Sequence, residues 1–193
     1  KNIAEMPAGE VTMSNPVLKS RLKNIQEEER HSIDTSIETI YLLRIIASNV
    51  NATMNHGIPV RGIIQLGQYL RTRGSSVDFV KLDHWLSKLH IPRFAQLQGS
   101  ILISLFGFEA TELPFVKQLE KNAVLYTLRS IENVEKDTED WNFRQGNRVF
   151  VHNNQKMLRK NLRRSLRYVD YAPIETTSNF ISNFSHSLSE IEE

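Results

Sequence analysis

Residues 56–94, HGIPVRGIIQLGQYLRTRGSSVDFVKLDHWLSKLHIPRF, followed by residues 99–115, GSILISLFGFEATELPF, decide the fold. Apolar residues recur at three- and four-residue steps: Ile63, Ile64, Leu66, Tyr69 and Leu70, then Phe79, Leu82, Trp85, Leu86 and Leu89, then Phe94, Leu97, Ile101, Leu102, Leu105 and Phe106. That period is the signature of helices with one buried stripe each. The punctuation agrees with the period. Gly57, Gly74 and Gly107 stand where helices stop, and Pro59, Pro92 and Pro114 stand where the first helical turn needs no N–H. Ser75 or Ser76 is expected to cap the second of these helices.

Outward from this stretch the chain stays helical. Residues 1–31 carry Pro7, Gly9 and Pro16 and read as a loose lead-in with one short helix near 17–28. Asp34 or Thr35 can cap a helix ending at Gly57, with Ile37, Ile40, Tyr41, the stem of Arg44, Ile45 and Met54 on its stripe. Pro114 is expected to open a further helix burying Val116, Leu119, Val124, Leu125, Leu128 and Ile131. A polar acidic loop then runs through Trp141, and Val149-Phe150-Val151 is the only strand-like run. A basic helix from about Asn153 to Tyr168, a turn at Ala172-Pro173 and a weak final helix to about Leu188 complete the chain. No strands alternate with helices, so the expectation is an all-α fold, an irregular bundle of about six to seven helices. The organisation predicted is a lead-in over 1–31, a helical core over 32–135, and an acidic loop, basic helix and C-terminal helix over 136–193 packed on that core.

Composition narrows the function classes. With 193 residues, 40% hydrophobic and 24% charged, the chain can bury a real core. It contains no cysteine, which excludes disulfides, thiolate metal sites and a cysteine nucleophile. No apolar run approaches the roughly 20 residues of a bilayer span, and the N-terminal KNIAEMPAGEV lacks the apolar core of a signal peptide. These features point to a cytoplasmic setting, and a chain opening on Lys1 reads as a piece of something longer.

The net charge of +2 hides a segregation. Between Trp141 and Val169 stand eight basic residues and no acid, which leaves 16 basic against 22 acidic elsewhere, a net −6. The basic arm is amphipathic. Leu158, Leu162, Leu166 and Val169 form one stripe, with Arg159, Lys160, Arg163, Arg164 and Arg167 on the other faces. Three readings stand side by side. The leucines dock on the domain while the arginines pair with its acidic body. Alternatively the guanidinium forks meet phosphates or nucleic acid. In the third reading the helix lies on an anionic membrane, for which it lacks Trp or Phe anchors.

Catalytic motifs are missing from the chain. His31, His56, His84, His90, His152 and His186 show no HxxxH or HExxH spacing, and read as surface or boundary histidines. The acidic run 132–140 lacks the glycine turn of a calcium loop. There is no Gly-x-Ser-x-Gly elbow and no glycine-rich phosphate loop. Gly57, Gly62 and Gly67 read as sites of close helix packing.

The order of elements resembles the C-terminal helical region of the uncharacterised nucleotidyltransferase family, abundant in Bacteroidetes and often encoded near polysaccharide loci. The matching pieces are Gly57-Ile58-Pro59-Val60-Arg61, Val77-Asp78-Phe79, Leu82, Phe106-Gly107-Phe108, Glu112-Leu113-Pro114-Phe115 and Tyr171-Ala172-Pro173-Ile174-Glu175, across roughly residues 35–185. The family's Asp-Trp pair is replaced by Leu66-Gly67-Gln68-Tyr69, and Ser48, Asn49 and Asn51 stand where histidines are usual. The family's Gly-Ser turn and paired aspartates, which hold Mg²⁺ against nucleotide phosphates, are also missing. Gly99-Ser100 is followed by ILISLF, and Asp137, Glu139 and Asp140 lie in a polar loop. The resemblance therefore implies a bacterial, non-catalytic module. It would position a nucleotide, sugar-phosphate or polymer acceptor for a separate catalytic domain, with Arg61, Arg159, Lys160, Arg163, Arg164 and Arg167 as anion contacts. This chain would bind no cofactor or metal itself. Mg²⁺ and nucleotide would belong to a catalytic domain upstream, and nucleic acid or an anionic membrane are further candidate surfaces. The alternative is a helical regulatory or adaptor protein that binds a protein partner or nucleic acid through the basic arm.

Overall fold

The computed structural model describes residues 11, 13–32, 36–132 and 154–189. Among them are eight α-helices and no strand: α1 (Pro16–Arg30), α2 (Ile37–His56), α3 (Val60–Arg73), α4 (Phe79–Lys88), α5 (Pro92–Phe106), α6 (123–132), α7 (Asn154–Tyr168) and α8 (Pro173–Ser189). The all-α expectation holds, with slightly more helices than expected because the lead-in and the C-terminal segment each contribute a full one. No helix among the described residues is long and apolar enough to cross a membrane. Val149-Phe150-Val151, Asp34, Thr35 and the acidic run beyond Glu132 lie outside the described residues.

α2 is the hub, contacted by α1, α3, α4, α5 and α7. Its role explains why a single stripe misdescribes it. Ile37, expected inside, is exposed, while Leu42, Leu43, Ile46, Ala47 and Val50 are fully buried on several sides of the helix. A helix packed all round buries polar residues too, and those must find partners. Asn49 Nδ2 donates to Gln98 Oε1 at 2.8 Å, Gln98 Nε2 donates to Ile46 O at 3.3 Å, and Thr39 Oγ1 accepts from Asp78 N at 2.8 Å. Gly62 lets α3 cross against this network, since a Cβ there would stand 1.9 Å from Asn49 Oδ1.

Local signals set most helix ends. Pro92 occupies the first turn of α5, and Gly107 closes it in the left-handed region at φ 66°. Asn15 caps α1, its Oδ1 accepting from Val17 N at 2.9 Å and Leu18 N at 3.0 Å. α4 differs from expectation. Ser75 and Ser76 form a 3-10 turn with Gly74, and Asp78 supplies the cap, accepting from Val80 N and Lys81 N at 2.9 Å.

The helix expected from Pro114 forms only in its second half, as α6. Residues 113–122 form an irregular span pinned by buried Leu113 and Phe115, and helix resumes only at 123. Proline's fixed φ suits a turn as well as a first helical turn, and here the tertiary anchors win. α6 then buries Ala123, Thr127 and Ser130, so Leu125, Leu128 and Ile131, expected inside, face out. One continuous core joins Met13 and Leu18 at one end of the chain to Tyr168, Tyr171 and Ala172 at the other. Glu175, fully buried on α8, accepts from the backbone N–H groups of Ser14 and Asn15 and ties the two ends together.

Candidate functional site

The basic helix is docked on the body through Tyr168, Arg164 and Arg167. Tyr168 is fully buried, its ring edge-on to Tyr126 at 5.6 Å and tilted against Phe94 at 6.4 Å. Burial pushes its hydroxyl pKa up. Periodicity then carries Arg164, one turn back, toward the body. Its Nη1 donates to Asn55 O and, at 3.3 Å, to Met54 O, the terminal carbonyls of α2. A cation at that end satisfies orphan carbonyls and meets the negative pole of the helix dipole. Arg167 sits over the Tyr126 ring, 5.6 Å from its centroid.

Of the stripe that one reading docks, Leu162 is 42% exposed and Leu166 67%, Val169 is half-buried, and the Leu158 side chain lies outside the described residues. Across the turn between α7 and α8 Thr176 Oγ1 donates to Tyr168 O. On α8, which packs against α7, Ile181 and Phe184 are also exposed. Arg159 and Arg163 are exposed on α7. α7 has no acidic residue, and the only one on α8 is the buried Glu175.

The six candidate anion contacts are thus divided. Arg159 and Arg163 lie on the free side of α7, and Arg61 is exposed in the first turn of α3. Arg164 and Arg167 are engaged with the body, and the Lys160 side chain lies outside the described residues. Ile181 and Phe184 were missed in the sequence because α8 reads as weak. Their three-residue spacing was the available signal.

The ionisable cluster with the most partners was also not anticipated. The Glu120 carboxylate, 8% exposed, accepts from Arg93 Nε at 3.2 Å, Gln96 Nε2 at 2.8 Å and Tyr171 Oη at 3.3 Å. Burial alone would raise its pKa. The hydrogen bonds from Arg93 and Gln96, with the guanidinium charge, outweigh that and hold the carboxyl below its ordinary range. Tyr171, desolvated and facing this carboxylate, is pushed up to about 12. Arg93 also stacks over the Tyr171 ring at 4.8 Å. This network clamps the 113–122 span between α5 and the α7–α8 turn, with every charge already matched.

No group of three or more His, Asp or Glu among the described residues could hold a metal ion. His31, His56, His84 and His90 are all exposed and scattered over separate elements. Among the described residues, α7 and α8 thus present exposed apolar side chains together with the exposed Arg159 and Arg163. No family model, curated protein or solved structure matches this chain.

Proposed function

We propose that this chain is a non-catalytic helical adaptor whose α7–α8 hairpin binds an acidic amphipathic helix of a protein partner. The observation that carries the reading is the orientation of α7. Its arginines Arg164 and Arg167 face inward while Leu162 and Leu166 face solvent. An apolar stripe left outside costs solubility unless something covers it. The seam of two antiparallel helices offers a groove that a third helix fills with i, i+3, i+4 anchors. The exposed arginines supply the sign of the partner's charge. Arg159 and Arg163 have no acidic neighbour on either helix, so they favour a carboxylate-rich segment. A second copy of this chain is disfavoured, because a two-fold contact would set this basic patch against itself.

The second reading is a module that positions a nucleotide or sugar-phosphate acceptor. It draws on Arg61, Arg159 and Arg163, the exposed members of the anion set.

Photo-crosslinking separates the two. A benzophenone amino acid is placed at Leu166 and, as control, at Val80, which is 83% exposed on α4. The adaptor reading expects a protein adduct at 166 and none at 80, mapping to an acidic helical segment of the partner and lost in R159E/R163E. Adducts only with lipid or nucleic acid, or protein adducts indifferent to that charge reversal, would sink it.

A further inference from the structure

A separate cleft of about 160 Å³ opens where α3 crosses α5. Gly67, Leu102 and Phe108 form its buried floor, Ile64 and Phe106 its walls, and Gln68 and Arg71 its polar rim. Gly67 makes the floor possible. A Cβ there would stand 2.9 Å from Leu102 Cδ2 and 3.1 Å from the Phe108 ring, so any larger residue would fill or distort the base. Leu102 and Phe108 are buried members of the core, which keeps the floor rigid and apolar.

Arg71 is the charged group at this site, beside the neutral amide of Gln68, and it is held in place. Its guanidinium lies 4.4 Å above the Phe108 ring centroid, and Nη2 donates to Phe106 O at 3.3 Å. Among the described residues no carboxylate lies within 4.0 Å of it. An ordered, unpaired cation beside an apolar cleft selects an apolar ligand with an anionic head. Size sets the rest. A cavity of roughly 150 Å³ lined by Leu, Ile and Phe accepts one benzene ring. A drug-sized pocket is at least about twice as large.

We propose that this cleft binds a small monocarboxylate bearing one aromatic ring. The ring rests in the cleft against Ile64, Leu102 and Phe106, and the carboxylate meets the guanidinium of Arg71. The inference stands apart from the adaptor reading, since neither residues nor surface are shared.

The test is a methyl and amide NMR titration of the full chain with benzoate and with benzamide, its neutral isostere. Benzoate is expected to shift the Ile64 and Leu102 methyls and the Gly67 amide saturably with Kd of about 1 mM, the range open to so few atoms. Benzamide should bind about 5-fold more weakly, as suits one solvent-facing charge-assisted contact. In Arg71→Gln the two ligands should become equal while benzamide affinity is unchanged. Ile64→Trp, at a partly exposed wall, should block both without loss of helicity. Three results overturn the proposal: no saturable shift at these groups up to about 20 mM benzoate, equal affinity for both ligands in the wild type, or a benzoate preference that survives Arg71→Gln.

Discussion

Gly99→Ala sets two opposed effects against each other at one buried position. Gly99 lies inside α5, where replacement of glycine by alanine ordinarily stabilises a helix by about 1 kcal/mol. Packing opposes it. The new Cβ would stand 2.2 Å from Val116 Cγ2 and 3.0 Å from Phe115 Cε2. Carbon atoms rest at about 3.5–4.0 Å, so Val116 must retreat by well over an ångström. It cannot do so freely. Val116 N donates to Leu113 O at 2.9 Å, Phe115 is buried, and Glu120 anchors the far end of the same span. Overpacking of this kind costs about 1–3 kcal/mol. The clash wins, and the net expectation is a loss of about 1 kcal/mol.

The structure also names the relief. Val116→Ala removes the clashing methyl and by itself costs about 1 kcal/mol at a half-buried site. In the double variant the clash is gone and the helix gain returns, so it should equal or exceed Val116→Ala alone. That is a favourable coupling of about 1–3 kcal/mol. Urea unfolding followed by circular dichroism on the four proteins closes the cycle. Gly99→Ala at or above wild-type stability, or an additive cycle, refutes the close approach of α5 to residues 115–116.

Three further outcomes are expected. The lowered carboxyl pKa of Glu120 contributes stability that is complete above the unfolded value of about 4.3 and is lost as pH falls through the folded one. Glu120→Gln should therefore cost about 1–2 kcal/mol at pH 7, Arg93 being half solvated. It should also flatten the acid limb of the stability–pH curve below about pH 4.5, and superimposable acid limbs would count against the clamp. Arg164→Met keeps the stem but leaves the carbonyls of Met54 and Asn55 without their cation, a loss of about 1 kcal/mol, so an unchanged urea midpoint would contradict that contact. His90 sits at φ 55° after α4, a region costing about 1–2 kcal/mol for a side-chain-bearing residue. Glycine there, less its own entropic cost of about 0.5–1 kcal/mol, should raise the thermal midpoint slightly, and a lower midpoint would refute the strain.

What was legible in the sequence was local. Pro92 at the start of α5, Gly107 in the left-handed region and the inward sets of α4 and α5 follow from spacing and backbone chemistry alone. What was not legible depended on neighbours. α2 is wrapped by five other helices, so Thr39 and Asn49 are buried while Ile37 is not. Asp78 caps α4 ahead of the two serines because a 3-10 turn carries the chain past them. α6 hides Thr127 and Ser130 and displays Leu125 and Leu128, and α7 hides Tyr168, turns Arg164 onto the end of α2 and displays Leu166. At the candidate surface the sequence showed an amphipathic basic helix but left open which of its faces meets the body. The hydrogen bonds from Arg164 to α2's carbonyls and the edge-on packing of Tyr126 against Tyr168 and Tyr171 accompany the observed rotation, and hydrophobic period carries no trace of either.

The Glu175 clasp has a consequence for how the molecule is made. Its partners Ser14 and Asn15 are 161 and 160 residues earlier in the chain. During synthesis from the N-terminus, α1 emerges with its leading backbone N–H groups unmet and waits until α8 is released before that anchor exists. Closing so long a loop is slow to nucleate and adds little further cost once the rest has folded. The leading end of α1 is thus secured late, although Leu18, Leu22 and Ile25 already hold the helix in the core. A version lacking α8 should loosen the backbone at Ser14 and Asn15.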